Sequence, residues 1–315
     1  MSTPLVSIII PVFNAEKYIG QCLSALQALD YPKDRYEVLL IDNGSTDGTI
    51  EIIKKYPVRL FLLPKVTISR LRNAGAAKAR GDILAFTDAD CLPPHLWLKE
   101  AVELLKNKGV GAVGCWYALP AQTVFWERVW NAHMSSRRFK VGAIDWVPSG
   151  NFIVSKEVYQ LIGGFNEALT TSEDVDICQR IQKEGLSVFT HPELAVVHLG
   201  ESKDLMHFLA KEKWRGEGVV QNCVRQFPKI KLNKAIAFTS FTLLALAAAV
   251  LSFCQQNYGF TVFSLLVLLF LPFYLATKAC ISSQQWRYLG PLTLMFIIYA
   301  LARVLSIFSL RVWKR

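Results

Sequence analysis

Residues 38–49 read VLLIDNGSTDGT: an apolar run stops on a carboxylate, Asp42, and the chain then turns through Asn43, Gly44 and Ser45. Residues 83–90, ILAFTDAD, repeat the arrangement and end on Asp88 and Asp90. A buried strand that stops on polar turn residues is how a parallel sheet presents ligand-binding groups at its carboxyl edge. The flanking stretches alternate accordingly. Leu5–Val12 reads as a strand, and Ala15–Leu29 as a helix with Ile19, Cys22, Leu23, Leu26 and Leu29 at helical spacing. Glu37–Ile41 is a strand, and Thr46–Tyr56 a helix whose start is marked by Ser45 or Thr46. Val58–Leu63 and Asp82–Phe86 are further strands, separated by a small-residue helix at Ser69–Ala79. The pattern predicts an α/β fold with a doubly wound open sheet.

Beyond Asp90 the alternation loosens. Val124–Phe139 carries Phe125, Trp126, Val129 and Trp130, with Arg137, Arg138 and Lys140 after them. Trp146–Val154 reads as a loop entering a strand. Ser172–Glu184 is a helix that Ser172 can cap and Gly185 ends. Short strands at Ser187–Thr190 and Ala195–His198 close this part of the chain.

The chain has 315 residues and an apolar fraction of 52%, with the excess gathered after Lys234. Ala235–Cys254 is 20 residues without a charge, about 30 Å as a helix and enough for a bilayer core. Gly259–Thr277 is a second uncharged stretch, of 19 residues, and the intervening QQNY suits a tight hairpin. A third apolar segment, 289–310, is interrupted at Arg303. It is expected either to span or to lie at the interface, and interfacial placement is preferred because a span would carry Arg311, Lys314 and Arg315 across. The expected division is a catalytic domain over 1–202, a basic juxtamembrane segment over 203–234 and a membrane region over 235–315.

The formal net charge of +10 is not evenly spread. Lys211–Lys234 holds seven Lys/Arg and two acids immediately before the first apolar segment, which points to anionic headgroups and a cytoplasmic orientation rather than to nucleic acid. The start, MSTPLVSIIIPVFN, has no basic n-region or cleavage site, so no secretory signal is expected. Seven scattered cysteines with no Cys-x-x-Cys pair indicate reduced thiols rather than zinc or a disulfide framework.

Asp88 and Asp90, one residue apart in a strand-to-loop turn, suit one divalent cation, Mg²⁺ or Mn²⁺, which takes oxygen ligands and shares its coordination with a substrate diphosphate. A solvated acidic turn is the plainer alternative. Asp42 is placed to accept hydrogen bonds from a nucleobase or ribose, or else is a turn residue, and Asp47 favours the N-terminus of the following helix.

The ordered set SIIIPVFNAEKYI, VLLIDNGSTDGT, RNAGAAKARGDILAFTDAD, SGNFIVSKEVYQLIGGFNEAL and SEDVDICQRIQKEG resembles family 2 glycosyltransferases of the GT-A fold over about Val6–Ser202. The resemblance implies that Pro11 and Asp42 help form the nucleotide pocket and that Asp88 and Asp90 contact metal and donor. It also implies that Arg72 and Asn73 lie beside the donor. Glu173 and Asp174 match an acidic pair that contributes the catalytic base. Asp174 is expected to be that base, Glu173 to orient or bind the acceptor, and Asp176 is the alternative base. Acids in a helix's first turn also simply stabilise its dipole.

His198, in AVVHLGES, is a candidate third metal ligand by likeness to related enzymes, or a histidine satisfied structurally. In KEKWRGEG, Arg215 is placed to grip a diphosphate and Trp214 to flank an acceptor. A basic helix lying on the membrane is the preferred reading there, and the Gln-x-x-Arg-Trp motif of processive synthases is absent. The aromatic Val124–Trp146 stretch is read either as a receiver of a lipid-linked acceptor or as core packing. The resemblance thus implies an inverting, metal-dependent transfer from a nucleoside-diphosphate sugar to a lipid or lipid-linked acceptor at the cytoplasmic face of a membrane. The alternatives are a soluble glycan or protein acceptor with the helices as anchor only, a nucleotidyltransferase, and a non-catalytic membrane partner.

Overall fold

The computed structural model describes residues 3–138, 140–226 and 234–309. The chain divides into two compact units, Met1–Gln122 with Arg137–Glu201, and Thr123–Ser136 with Ser202–Arg315. The segment 123–136, although early in the sequence, groups with the C-terminal helices.

The first unit is built on an eight-stranded mixed sheet. In chain order its elements are β1 (Val6–Val12), α1 (Ile19–Gln27), β2 (Tyr36–Asp42), α2 (Thr49–Ile53), β3 (Arg59–Leu62), α3 (Ile68–Lys78), β4 (Ile83–Thr87), β5 (Cys91–Leu92), α4 (Trp97–Leu105) and β6 (Val110–Gly114). After α5 (Phe125–Arg138) come β7 (Gly142–Ala143), β8 (Asn151–Ser155), α6 (Lys156–Leu161), α7 (Glu173–Lys183), β9 (Ser187–Thr190) and β10 (Val197–His198). The sheet order is β3-β2-β1-β4-β8-β6-β9-β7, while β5 and β10 form a separate ribbon.

β1 to β4 are mutually parallel where they pair, and β1 is buried along its whole length, as its mostly apolar sequence requires; its one hydroxyl, Ser7, donates to Glu37 at 2.7 Å. β8 then enters antiparallel between β4 and β6. That reversal carries the loop before β8 to the carboxyl edge of β4, because Thr87 pairs with Asn151. Asn151 is fully buried and anchors this corner. Its side chain accepts from Trp97 Nε1 at 2.9 Å and donates to the carbonyls of Cys115 at 2.9 Å and Leu194 at 2.6 Å. Replacing Asn151 with alanine strands these three partners. The expected cost is about 2–4 kcal/mol, at roughly 1 kcal/mol or more per buried bond, read as a lower thermal midpoint of the detergent-solubilised protein.

Three expectations are corrected. α2 begins at Thr49 rather than Thr46, because residues 44–48 are held as a loop by other groups: Thr46 N–H donates to Asn14 Oδ1 at 2.9 Å and Gly48 N–H to the Glu16 carboxylate at 3.0 Å. Ser172 stands at the N-cap of α7 but its side chain makes no capping bond, since its backbone is left-handed, with φ of 63°. Gly185 does end that helix, with φ of 76°.

The third correction concerns Arg303. The second unit holds α8 (Leu205–Gln226), α9 (Lys234–Cys254), α10 (Tyr258–Ser283) and α11 (Leu289–Ile307). Arg303 does not interrupt α11; it lies 8% exposed and pairs with Glu212 on α8 at 2.8 Å. The carboxylate offsets the buried charge, so the helix continues. Val129 and Ala132 of α5 are buried in one apolar cluster with Phe208, Ala276, Cys280, Leu292 and Phe296, and the Trp130 ring lies 4.7 Å from Phe208. Three helices, Ala237–Cys254, Tyr258–Ser283 and Trp286–Ile307, are long and apolar enough to cross a membrane. Residues 227–233 of the basic segment, and Arg311, Lys314 and Arg315, lie outside the described residues.

Candidate active site

Three parallel strands end together. Val12 pairs with Asp42 across β1 and β2, and β4 stops one residue before Asp88. Pro11 is buried within β1. Asp42, 2% exposed, is turned into its own loop: one oxygen accepts from the amides of Gly44 at 2.8 Å and Ser45 at 3.0 Å, the other from the Ser45 hydroxyl at 2.5 Å. A carboxylate has room for further donors beyond these. Asp47 accepts from the Thr49 amide at 3.2 Å and from its hydroxyl. It serves the entry to α2.

Arg72 joins the loop after β4 to α7. Its guanidinium donates to Asp88 Oδ1 at 2.7 Å and to Glu173 Oε1 at 2.8 Å, and Glu173 also accepts from the Ser149 hydroxyl at 2.8 Å. Arg72 is 1% exposed. Burial works against its charge, but Asp88 and Glu173 outweigh that and hold its pKa above the ordinary arginine value. Asn73, next in sequence, has all four hydrogen-bonding positions occupied. It accepts from Tyr159 Oη at 2.6 Å and the Phe165 amide at 2.9 Å, and donates to the Phe165 carbonyl and the Glu167 carboxylate, each at 2.9 Å. It clamps the segment between α6 and α7.

Glu173 and Asp174 open α7. Glu173 is buried against Arg72, whereas Asp174 is only partly buried and accepts from the Val175 amide at 2.8 Å. Asp176 is ion-paired with Arg180 at 2.6 Å one turn along.

Asp90 and His198 are brought together by the β5–β10 ribbon, in which His198 pairs with Cys91 and the Leu199 amide donates to the Asp90 carbonyl at 2.9 Å. His198 Nε2 is 3.4 Å from Asp90 Oδ2, and Glu201 Oε1 is 3.2 Å from Nδ1. Among the described residues, Asp90, Cys91 and His198 form the one group whose ligand atoms could hold a metal ion. Asp88 is not in it; its Oδ1 is directed to Arg72. Burial and the two aspartates push the Cys91 thiol well above its usual range.

The donor set fits a hard divalent cation, one carboxylate oxygen and one imidazole nitrogen with room for substrate oxygens. A cradle supports that fit: a Cβ on Gly200 would collide with Asp90 Oδ2, and one on Gly150 would collide with Asp88 Oδ2 and lie 2.5 Å from Tyr117 Oη. Tyr117, Ser149, Gly150, Gly200 and Glu201 are candidate site residues that motif reading passes over; Ser149 and Gly150 lie in the PSGN turn before β8, Gly200 and Glu201 in the turn that follows His198, and Tyr117 carries no motif signal. Trp214 and Arg215 lie on α8 in the other unit. Trp214 is 44% exposed and Arg215 pairs with Glu212 at 2.5 Å.

Residues 7–161 match the model of Glycosyl transferase family 2. Glycosyltransferase AglE of Haloferax volcanii is 30% identical over 250 residues, which are 76% of this chain and 81% of that protein. The chain belongs to glycosyltransferase family 2. A second relative of this glycosyltransferase, from Methanococcus voltae, is 26% identical over 213 residues, 60% of this chain and 65% of that protein. It is named dolichyl N-acetyl-alpha-D-glucosaminyl phosphate 3-beta-D-2,3-diacetamido-2,3-dideoxy-beta-D-glucuronosyltransferase. Among solved structures, the mannosyltransferase PcManGT from Pyrobaculum calidifontis, in complex with GDP-Man and Mn²⁺, has a TM-score of 0.62 at 22% identity and covers 97% of this chain and 88% of its own. S. aureus TarS 1–349 with UDP-GlcNAc has a TM-score of 0.51 at 16% identity, covering 98% and 92%. These two likenesses establish the GT-A fold of the glycosyltransferase, and its three long apolar helices make it membrane-associated.

Proposed function

We propose that this glycosyltransferase is inverting and metal-dependent, and that it moves a sugar from a nucleoside diphosphate to a lipid or lipid-linked acceptor at the cytoplasmic face of a membrane. The observation that carries the reading is the facing of Asp90 and His198 at 3.4 Å beside the Asp88–Arg72–Glu173 chain that leads to Asp174. Residues 1–202 act as the catalytic domain, 203–234 as the basic juxtamembrane segment and 235–315 as the membrane region.

Pro11 and Asp42 border the nucleotide. Asp90 and His198 hold Mn²⁺ or Mg²⁺, with Asp88 turned toward the donor and fixed by Arg72. When bound, the cation neutralises charge gathering on the departing diphosphate. Asp174, less buried than Glu173, takes the proton of the acceptor hydroxyl as that oxygen attacks the anomeric carbon opposite the leaving group. Glu173 stays with Arg72 and Ser149 and holds the start of α7. Asn73 acts at a distance, by fixing the segment before α7.

The Mn²⁺ and GDP-Man of PcManGT, the UDP-GlcNAc of TarS and the lipid-phosphate substrate in the Methanococcus voltae name support the donor class, cation and acceptor class. The membrane helices give the acceptor choice a physical reason, since anchoring keeps the site near headgroups and raises effective concentration. The Lys/Arg excess before α9 supports the cytoplasmic side.

The test is thermal stabilisation of the full chain by a panel of UDP-, GDP- and dTDP-sugars with Mn²⁺, with Mg²⁺ and with chelator. At least one donor should stabilise it in a cation-dependent way; stabilisation by none, or equally in chelator, counts against the reading. In the same assay Gly200→Ala is expected to lose the cation-dependent part by displacing the Asp90 carboxylate, while nucleotide binding in chelator persists.

A further inference from the structure

His198 is held on two sides by groups that no motif assigns. The Tyr117 ring lies against the imidazole face, with centroids 4.6 Å apart and planes 21° from parallel. At the ring edge, Glu201 Oε1 stands 3.2 Å from Nδ1. Nδ1 is buried and makes no well-aligned hydrogen bond, so this carboxylate is the group placed to satisfy it. Side-chain exposures of 9% for His198 and 21% for Glu201 keep the pair largely out of water, where such a contact is weakly screened. On the opposite edge Nε2 faces Asp90 at 3.4 Å.

A neutral imidazole carries one proton, and the nitrogen that keeps it cannot ligate. A carboxylate at Nδ1 places the proton there, which frees the Nε2 lone pair on the Asp90 side, and it also raises the ring's basicity as a ligand. The chain connects the two roles directly. Glu201 follows His198 by three residues, and Gly200 between them leaves the space that the Asp90 carboxylate occupies.

We propose that Glu201 is a positioning residue for metal binding: it fixes the tautomer and orientation of His198 so that Nε2, together with Asp90, meets the cation, while Tyr117 fixes the plane of the ring. The inference rests on the metal reading of the site given above and adds to it the residue that makes His198 a competent ligand. Glu201 touches neither donor nor acceptor in this role and contributes no proton to transfer.

The test is Mn²⁺ affinity of the full chain in detergent, measured from the free-Mn²⁺ electron paramagnetic resonance signal with UDP or GDP present. Wild type, E201A, E201Q, D90A and H198A are compared, with thermal midpoint and chelator-resistant nucleotide binding as controls for folding. Loss of the carboxylate in E201A is expected to weaken Mn²⁺ binding by about 10–100-fold, the usual range for an outer-shell partner. E201Q should fall between E201A and wild type, because its amide oxygen still accepts from Nδ1–H but carries no charge. A purely structural role would lower the thermal midpoint without this graded order. Wild-type Mn²⁺ affinity in either folded Glu201 variant, while D90A and H198A lose theirs, overturns the proposal. If D90A and H198A also keep wild-type affinity, the metal site itself is wrong and the role of Glu201 falls with it.

Discussion

Asp174→Asn is expected to lower sugar transfer by about 10²–10⁴-fold, the span over which a positioned general base acts, while donor affinity stays at the wild-type level. The amide keeps the size of the carboxylate and can still accept from the Val175 amide, so α7 retains its start. What it loses is the capacity to take a proton. The neighbouring acids provide the contrast. Asp176 is tied to Arg180 at 2.6 Å, so Asp176→Asn should cost little beyond one partly exposed ion pair. Glu173→Gln removes the charge facing buried Arg72 and should lower thermal stability as well as transfer, a combination that Asp174→Asn does not show. Transfer in membrane extracts and donor binding by calorimetry in detergent separate the three. Near-wild-type turnover in Asp174→Asn would remove it from the base role.

Asp90→Ala and His198→Ala should each abolish the cation-dependent part of donor affinity, with a loss at least as large as the about 10–100-fold typical of outer-shell changes. Nucleotide binding in chelator should persist, because Asp42 and the end of β1 lie on other strands. Asp88→Ala should behave differently. Its Oδ1 holds Arg72, whose guanidinium is 1% exposed, so removing it leaves a buried cation with Glu173 as remaining partner. Breaking such pairs costs about 3–5 kcal/mol when the residual charge is fully buried and unpaired, and somewhat less is expected here. Asp88→Ala is thus expected to lower both thermal midpoint and donor binding, whereas Asp90→Ala lowers cation-dependent binding alone. Equal behaviour of the two would contradict the separate jobs given to them.

The sequence showed most clearly what repeats or ends abruptly. β1, β2 and β4 each hold an apolar run, Ile8–Val12, Val38–Ile41 and Ile83–Phe86, that stops at a turn, so Asp42, Asp88 and Asp90 could be placed at a carboxyl edge from spacing alone. The second half was less readable because its elements lack strong periodicity. β6, VGAVG, is fully apolar yet glycine-rich, which weakens any strand signal. The glycines are there because Ile181 and Leu186 press on Gly111, and the Asn151 carbonyl on Gly114. The β5–β10 ribbon spans two residues on each side; a short strand was expected at Ala195–His198, but its partner Cys91–Leu92 is too short for any pattern, and that pairing is what carries His198 to Asp90.

Charge partners were the other blind spot. Arg303 looked like a break in an apolar segment because its partner, Glu212, lies far away in sequence. Arg72, expected beside the donor, also donates to Asp88 and Glu173 and so ties the loop after β4 to α7. Such links depend on tertiary contact, and residue type and spacing carry no trace of them.

The most direct measurement uses membranes containing the full chain, a radiolabelled nucleoside-diphosphate sugar chosen by the stabilisation screen, and Mn²⁺. Label is expected in the organic-extractable lipid fraction for the wild type, and not for Asp174→Asn or in chelator. Label confined to soluble glycan or protein, or lipid labelling that persists in chelator, would contradict a metal-dependent transfer to a lipid or lipid-linked acceptor.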